Sequence, residues 1–308
     1  MKFLEWLDLW LENYIKTSTK SRTYERYVQV VKNNINPDLG AYDLSEVTPL
    51  ILQTFISDLL VNGNKRTGKG LATNSIKSII SIIQNSLKTA NLIGYLSEYT
   101  ANKIRCPKII EKKVDCFTFS EQKKIETFVI SSGKAKMLGI LVCLYTGLRL
   151  GELLALTWAD VDFFQKTISI NKTCRDGKLN GGCVRIVNSP KTESSVRRIP
   201  IPCRLLPYLK KMKKQAKSEY VIEYKEKPVR VRSYQRSFEL LLKRLNIPHK
   251  GFHSLRHTFA TRAIECGIDV KSVSEILGHK NAAITLNRYA HSLWEHKVEM
   301  MNKLGKFL

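Results

Sequence analysis

Residues 146–162 read TGLRLGELLALTWADVD and join one apolar segment to the start of another. Gly147 is predicted to end the first helix, and Arg149 to stand at the start of the next. An arginine at such a position combines a guanidinium fork with free backbone N–H groups, and both suit a phosphate. An ion pair with Glu152 is the more ordinary role for such an arginine, so this stretch alone leaves both roles open.

The first hundred residues carry apolar side chains at helical spacing. They predict one helix near the N-terminus, a second from Ser21, a third over 47–62 and a fourth over 72–91.

Between the last two helices lies a segment with three glycines and three cations, which predicts a flexible basic loop. Its cations Lys65, Arg66 and Lys69 are candidates for contacts with a phosphate backbone. A solvated loop explains the same residues equally well.

The second half of the chain begins after a polar, proline-containing segment at 105–116, which we interpret as an interdomain linker. Ser120 is predicted to cap the next helix, and helices continue to residue 158. Alternating segments from 166 to 202, with a glycine-rich turn at 176–182, then predict a small antiparallel sheet of about three strands. Helices resume near residue 203.

The predicted fold class is therefore mainly α, in two domains. Residues 1–104 form an all-helical N-terminal domain. Residues 117–308 form a mainly helical domain with a small antiparallel β-sheet.

The charge of the chain points to a polyanionic partner. The 308 residues carry a formal net charge of +24, of which +4 falls in residues 1–105 and +20 in residues 106–308. A hydrophobic content of 43% argues against disorder. Nucleic acid is the first candidate and an anionic membrane surface the second, because a small acidic metabolite does not require so large an excess.

The cysteines indicate a reducing compartment, so we expect a cytoplasmic protein. There are seven, an odd number, and no C-x-x-C occurs. The longest apolar stretch, 137–145, is far shorter than the ~20 residues of a membrane span. Acidic residues also interrupt the apolar N-terminus, so we predict neither a signal peptide nor a membrane partner.

Residues 253–258 read HSLRHT, just ahead of an apolar helix. His253 and Arg256 are three apart and would share one helix face, with His257 close to it. The two histidines have the spacing of a zinc-binding pair. No glutamate follows His253 and no further ligands stand at metal spacing, so no metal site is predicted.

Two further short segments follow, LGH at 277–279 and TLNRYAH at 285–291. Taken singly, Gly278 and His279 are compatible with a helix C-cap, and Tyr289 with a half-buried core tyrosine.

The order and spacing of these pieces carry more information than any one of them. Across residues 117–295 the chain resembles the tyrosine recombinase family, the phage-type integrases. The strings PKTESS (190–195), FHSLRHTFAT (252–261) and RYAH (288–291) look like those of integrases from phages and conjugative elements. The six positions that carry the resemblance are Arg149, Lys191, His253, Arg256, His279 and Tyr289.

The resemblance implies the tyrosine recombinase catalytic fold, with residues 1–104 as a core-type DNA-binding domain. It implies that Tyr289 attacks a phosphodiester, giving a 3′-phosphotyrosine and a free 5′-hydroxyl. His253 is then the candidate base and Lys191 the candidate acid, while Arg149, Arg256 and His279 face the phosphate oxygens. Glu152 and His257 are expected to support them.

Neither metal, ATP nor any other cofactor is expected, because two guanidiniums suffice in principle to stabilise the phosphate.

The expected partners are double-stranded DNA at specific recombination sites and three further copies of the chain. A homotetramer would exchange strands of two duplexes through a Holliday junction, with accessory DNA-bending or directionality factors in some systems. An apolar stripe after Tyr289 either packs on its own domain or docks on a neighbouring protomer, and we favour docking. The stripe consists of Leu293, Trp294, Val298, Met301 and Leu304.

Many integrases of this style begin with a small arm-binding domain, whereas Met1 here runs directly into the first predicted helix. Control through distant arm sites is therefore left open.

The favoured function is a site-specific recombinase that integrates or excises a mobile element. A recombinase that resolves chromosome dimers shares the chemistry, and a type IB topoisomerase uses a similar residue set as a monomer. A non-catalytic helical DNA-binding regulator explains the charge equally well, but it leaves the six-residue pattern as an accident.

Overall fold

The structure is a computed structural model, which describes residues 1–99, 101–108, 115–179, 182–189, 196–279, 281–283, 298, 301–302 and 304–306. The chain divides into two compact units, Met1–Lys112 and Lys113–Leu308. No helix in these described ranges is both long and apolar enough to cross a membrane.

The first unit is built from helices. Short π-helical turns at Leu11–Ile15 and Val31–Ile35 join the first four helices in pairs, and single 3₁₀ turns lie at Leu44–Glu46 and Ala101–Lys103. The α-helices are α1 (Phe3–Trp10), α2 (Lys16–Ser18), α3 (Ser21–Val30), α4 (Asn36–Leu39), α5 (Pro49–Asn62) and α6 (Thr73–Leu92).

The core of the first unit follows from the apolar spacing of its helices. On α1 the buried residues are Phe3, Trp6, Leu7 and Trp10, which is the i, i+3, i+4, i+7 pattern of one helix face. Helix α5 begins where Pro49 supplies a fixed φ and Thr48 accepts a hydrogen bond from the N–H of Ile51. The all-helical character predicted for this region is confirmed.

The basic segment between α5 and α6 forms a closed turn. The N–H of Asn64 donates to Lys69 O over 2.8 Å, and the N–H groups of Thr67 and Gly68 donate back to Asn64 O. The side chain of Asn64 accepts a further bond from the N–H of Arg66, as in an Asx turn. Lys65, Arg66 and Lys69 are exposed on this turn, which we name the basic turn.

The second unit is mainly helical, as predicted. Its helix α8 lies in the core, with residues 138–144 buried on every side. The α-helices of this unit are α7 (Phe119–Ser132), α8 (Ala135–Thr146), α9 (Leu150–Ala155), α10 (Leu206–Gln215), α11 (Val231–Arg244), α12 (Ser254–Glu265) and α13 (Val270–Leu277).

The N-cap of helix α7 lies two residues before the predicted cap. Thr118 is the N-cap, since its side chain accepts from the N–H of Glu121 while Glu121 Oε2 accepts from the N–H of Thr118 over 2.8 Å. The prediction of Ser120 as the cap is wrong, because the reciprocal pair of Thr118 and Glu121 satisfies two free N–H groups at once.

In the described residues the strands form three separate antiparallel sheets in place of the single sheet that was predicted. One sheet has the order β1-β2-β5, and the other two are the hairpins β3-β4 and β6-β7. The strands are β1 (Val161–Asp162), β2 (Thr167–Ile170), β3 (Thr173–Leu179), β4 (Gly182–Asn188), β5 (Arg197–Pro200), β6 (Glu223–Tyr224) and β7 (Lys227–Pro228).

The edges of β2 explain this difference. Ile168 on β2 is paired with Val161 of β1 on one side and with Ile199 of β5 on the other. Both edges of the short β2 are occupied, so neither β3 nor β4 can pair with β2, and in the described residues they pair with each other. Their register runs from Thr173 opposite Asn188 to Leu179 opposite Gly182, which places most of the predicted glycine-rich turn inside a strand.

A glycine brings this hairpin close to α9. A Cβ at Gly151 would lie 2.6 Å from both the carbonyl oxygen of Cys174 and the hydroxyl of Thr173. Only a residue without a side chain lets the helix approach β3 so closely. The hairpin is thereby fixed against the helix that Arg149 caps.

Candidate active site

The turn between α8 and α9 places Arg149 as the sequence predicts. Gly147 ends α8 in the left-handed region, with φ of +67°, and Arg149 is the N-cap of α9. A Cβ at Gly147 would lie 2.6 Å from a ring carbon of Phe259 and 2.7 Å from a methyl of Leu277. Helices α12 and α13 therefore reach this turn only because residue 147 is glycine.

Arg149 makes the predicted ion pair with Glu152. Its Nη1 lies 2.7 Å from Oε1 of Glu152, and its backbone N–H donates to Oε2 over 2.9 Å. Its Nη2 donates to the carbonyl of Gly278 over 3.1 Å. The side chain remains 36% exposed, so an ion pair and access to an external phosphate coexist at this residue.

Arg256 reaches the same place from α12. It is 2% exposed, its Nη1 donates to Gly147 O over 3.0 Å, and its Nη2 donates to Leu277 O over 2.7 Å. The structure thus brings Arg149 and Arg256 together between the α8–α9 turn and the end of α13.

The end of α13 fixes the backbone of His279 beside these two arginines. Gly278 adopts φ of +65°, its N–H donates to Glu275 O, and the N–H of His279 donates to Ser274 O, each over 3.0 Å. This pair of bonds is a Schellman ending, in which the glycine takes the left-handed position.

His253 and His257 lie at the start of α12. His253 is the N-cap, and Arg256 follows it within the first turn. The two imidazole rings meet edge to face with centroids 4.6 Å apart. Over the part of the chain that the structure describes, no three His, Cys, Asp or Glu residues are grouped so as to hold a metal ion.

Four of the six predicted catalytic residues are placed in this way. Lys191 and Tyr289 lie outside the described residues, so their roles stay predictions, as does the docking of the stripe that follows Tyr289. The basic turn belongs to the first unit.

The structure adds one residue that the sequence reasoning did not identify. Arg197 on β5 is 7% exposed and donates through Nη1 and Nη2 to the two carboxylate oxygens of Glu152, over 3.1 and 2.9 Å. Its Nε donates to Ile276 O over 2.6 Å. Strand alternation carries the signal, because Arg197 stands two residues before the buried Ile199 and so points to the core side.

Glu152 is the buried carboxylate that joins these cations. Burial by itself raises the pKa of Glu152, but the hydrogen bonds and charges of Arg197 and Arg149 outweigh it and leave the pKa below its ordinary value. Glu152 is therefore ionised at neutral pH, and two arginines share its single negative charge.

Known protein families match both units of the chain. Residues 117–296 match the Phage integrase family, and residues 2–60 match the Phage integrase N-terminal SAM-like domain. The chain is 30% identical to a tyrosine recombinase XerC-like protein of Caldanaerobacter subterraneus subsp. tengcongensis, over 96% of this chain and 81% of that protein. It is 24% identical to the ICEBs1 integrase of Bacillus subtilis, over 94% of this chain and 79% of the integrase.

A solved structure shares the fold across the chain. The Tn1549 transposon integrase, solved in complex with a circular intermediate DNA, superposes with a TM-score of 0.81 at 21% identity and covers 99% of each chain. The fold class stated from the sequence is thus confirmed. With a family match over more than half of its length and the cluster of Arg149, Arg256 and His279 in place, the chain belongs to the Phage integrase family and is a tyrosine site-specific recombinase.

Proposed function

We propose that this recombinase is the integrase of a mobile element, which cuts and rejoins DNA at specific sites to integrate or excise that element. The observation that carries the proposal is the fixed placement of two guanidiniums, those of Arg149 and Arg256, between the α8–α9 turn and the end of α13. The likeness to the ICEBs1 integrase supports a mobile element as the source. Such an enzyme works in the cytoplasm, on DNA of the nucleoid.

The two arginines suit the transition state of phosphodiester cleavage. The phosphate carries one negative charge, which rises toward two as the attacking oxygen approaches. Donors held in place beforehand stabilise this added charge without reorganising at the moment of reaction. Arg256 is buried and donates to two backbone carbonyls, so its guanidinium is already oriented before DNA binds.

The remaining roles complete a nucleophilic substitution. Tyr289 attacks the phosphorus, and because the ordinary pKa of a tyrosine is ~10 it needs a base at neutral pH, which we assign to His253. Lys191 protonates the leaving 5′-oxygen, and His279 donates to a non-bridging oxygen. The products are a 3′-phosphotyrosine and a free 5′-hydroxyl, and attack by a second 5′-hydroxyl reverses the step on a new strand.

Two duplexes with two cuts each require four nucleophiles, so we assign a tetramer to the reaction. The energy of the broken phosphodiester is kept in the phosphotyrosine, and rejoining needs no ATP. The +20 charge of residues 106–308 and the basic turn supply contacts to the DNA backbone. Accessory DNA-bending or directionality factors set which of integration and excision prevails.

A nicked suicide substrate tests the proposal, because it traps the covalent complex. Tyr289→Phe should bind this DNA with unchanged affinity and form no adduct. The matched control is Tyr224→Phe, which removes the hydroxyl of an exposed tyrosine in the same unit and should leave adduct formation unaltered. An adduct formed by Tyr289→Phe would refute the assignment of the nucleophile.

The alternative function is resolution of chromosome dimers, which the likeness to the XerC-like relative supports. The DNA that flanks the coding region separates the two functions. An integrase should lie at the end of an element bounded by direct attachment repeats, and the wild-type enzyme should recombine a pair of those repeats in vitro. A chain that recombines only a chromosomal terminus site would contradict the mobile-element assignment.

A further inference from the structure

Three arginines from three different elements bind three consecutive carbonyls at the end of α13. Arg197 Nε donates to Ile276 O over 2.6 Å, Arg256 Nη2 to Leu277 O over 2.7 Å, and Arg149 Nη2 to Gly278 O over 3.1 Å. These carbonyls are among those that a helix leaves without an intrahelical partner, and they carry the negative end of its dipole. The end of α13 is thus held by β5, by α12 and by the cap of α9.

Arg197 differs from Arg149 because it faces inward. Its side chain is 7% exposed, whereas that of Arg149 is 36% exposed. Both Nη atoms of Arg197 bind the carboxylate of Glu152 in a forked arrangement, and its Nε is bound to Ile276 O. The two parallel N–H···O bonds of such a guanidinium fix both the position and the orientation of the carboxylate, whereas a lysine ammonium acts as a point charge.

The shared carboxylate links Arg197 to Arg149. Oε1 of Glu152 accepts from Nη1 of Arg149 and also from Nη1 of Arg197. Two arginines and one carboxylate leave one formal positive charge on this trio. Without Arg197, the ion pair of Glu152 and Arg149 that remains carries no net charge on the side where a phosphate would bind.

We propose that Arg197 is a positioning residue for strand cleavage. By binding Glu152 and the end of α13 together, it preserves the net positive charge at Arg149 and holds the backbone that carries His279. This inference rests on the proposed function, because it takes the scissile phosphate to bind at Arg149.

The neighbouring arginine provides a matched control. Arg198 on the same strand is exposed and its Nη1 contacts only the side chain of Gln165, among the hydrogen bonds of the described residues. Arg197→Gln and Arg198→Gln remove the same charge from adjacent positions. A general effect of charge on DNA binding therefore lowers the DNA affinity of both variants equally.

The experiment measures the single-turnover rate of adduct formation on the suicide substrate, together with the affinity for that DNA. Arg197→Gln should lower the rate by about 10-fold to 100-fold, the range typical of supporting residues, with DNA affinity within about twofold of wild type. Arg198→Gln should cleave at the wild-type rate. Arg197→Lys keeps the charge but not the fork, and its rate should fall between those of wild type and Arg197→Gln.

A double variant separates positioning from a merely structural role. Glutamine at residue 152 still caps α9 but carries no charge, so Arg197→Gln combined with Glu152→Gln restores one positive charge to the site. The double variant should therefore cleave faster than Arg197→Gln alone.

Adduct formation at the wild-type rate in Arg197→Gln would overturn the inference. If Arg197→Gln fails to fold, a wild-type rate in Arg197→Lys would overturn it instead. So would a double variant whose rate is reduced by the product of the two single-variant reductions. Wild-type enzyme is the internal reference, since absence of its own adduct would count against the proposed function instead.

Discussion

Replacing Gly147 by alanine tests the close approach of α12 and α13 to the α8–α9 turn. Two terms add at this position. Alanine in the left-handed region costs about 1–2 kcal/mol, since φ is +67°. A new methyl within 2.7 Å of Phe259 and Leu277 costs a further ~1–3 kcal/mol of overpacking.

Gly133→Ala is the matched control, because only the first of these terms applies there. Gly133 also ends a helix of the second unit with positive φ, of +60°, but a Cβ at this residue meets only Lys211 Nζ at 4.0 Å. The predicted losses are about 2–5 kcal/mol for Gly147→Ala and about 1–2 kcal/mol for Gly133→Ala. The difference between the two losses measures the cost of overpacking against Phe259 and Leu277.

Thermal unfolding of the full chain, followed by near-ultraviolet circular dichroism, measures both losses on the same unit. Each kcal/mol lowers Tm by about 2–4 °C for a unit of this size. Gly147→Ala should therefore melt lower than Gly133→Ala by roughly 2–12 °C. Equal melting temperatures would refute the close packing and, with it, the fixed position of Gly147 O as an acceptor for Arg256.

Three further outcomes follow from single features. Asp176→Ala should lower the free energy of unfolding by about 1 kcal/mol in urea titrations, because the carboxylate accepts the free N–H groups of Val231 and Arg232 at the start of α11; no loss would contradict this cap. The pKa of Glu152 is depressed in the folded state, so its stabilisation is present above its ordinary pKa of 4.5 and is lost as pH falls through the lower folded value. Unfolding measured from pH 7 to pH 3 should therefore show a flatter acid limb for Glu152→Gln, and an unchanged limb would contradict that depression. Replacing the three cations of the basic turn with glutamine should reduce the slope of log K against log salt for DNA binding by up to about 2.7, and an unchanged slope would place the turn away from DNA.

Periodicity was sufficient to predict the helices and the mainly α fold. Apolar spacing in α1 and α6 decided those helices, because each buries one face in a local core. The arrangement of strands was not predictable in the same way. Whether β3 extends the sheet of β2 depends on which strands already occupy the edges of β2, and pairing between distant segments leaves no mark in local alternation.

The candidate site shows a similar division. Arg149, Arg256 and His279 were found because their spacing resembles a known family, and Gly147 and Gly278 were read from their positions at helix ends. Arg197 was missed because a single arginine in a strand of alternating residues is usually exposed. Its role depends on a buried carboxylate 45 positions earlier in the chain, which only the folded structure brings within reach.

The identity of the nucleophile is the most direct test of the account. Wild-type enzyme is trapped on a suicide substrate, the complex is digested with trypsin and nuclease, and the peptide that retains a nucleotide is sequenced by mass spectrometry. Arg288 and Lys297 bound a tryptic peptide, YAHSLWEHK, in which Tyr289 is the only tyrosine. This peptide should carry a nucleotide through its 3′-phosphate. A 5′-linked nucleotide, or a nucleotide on any other peptide, would contradict it.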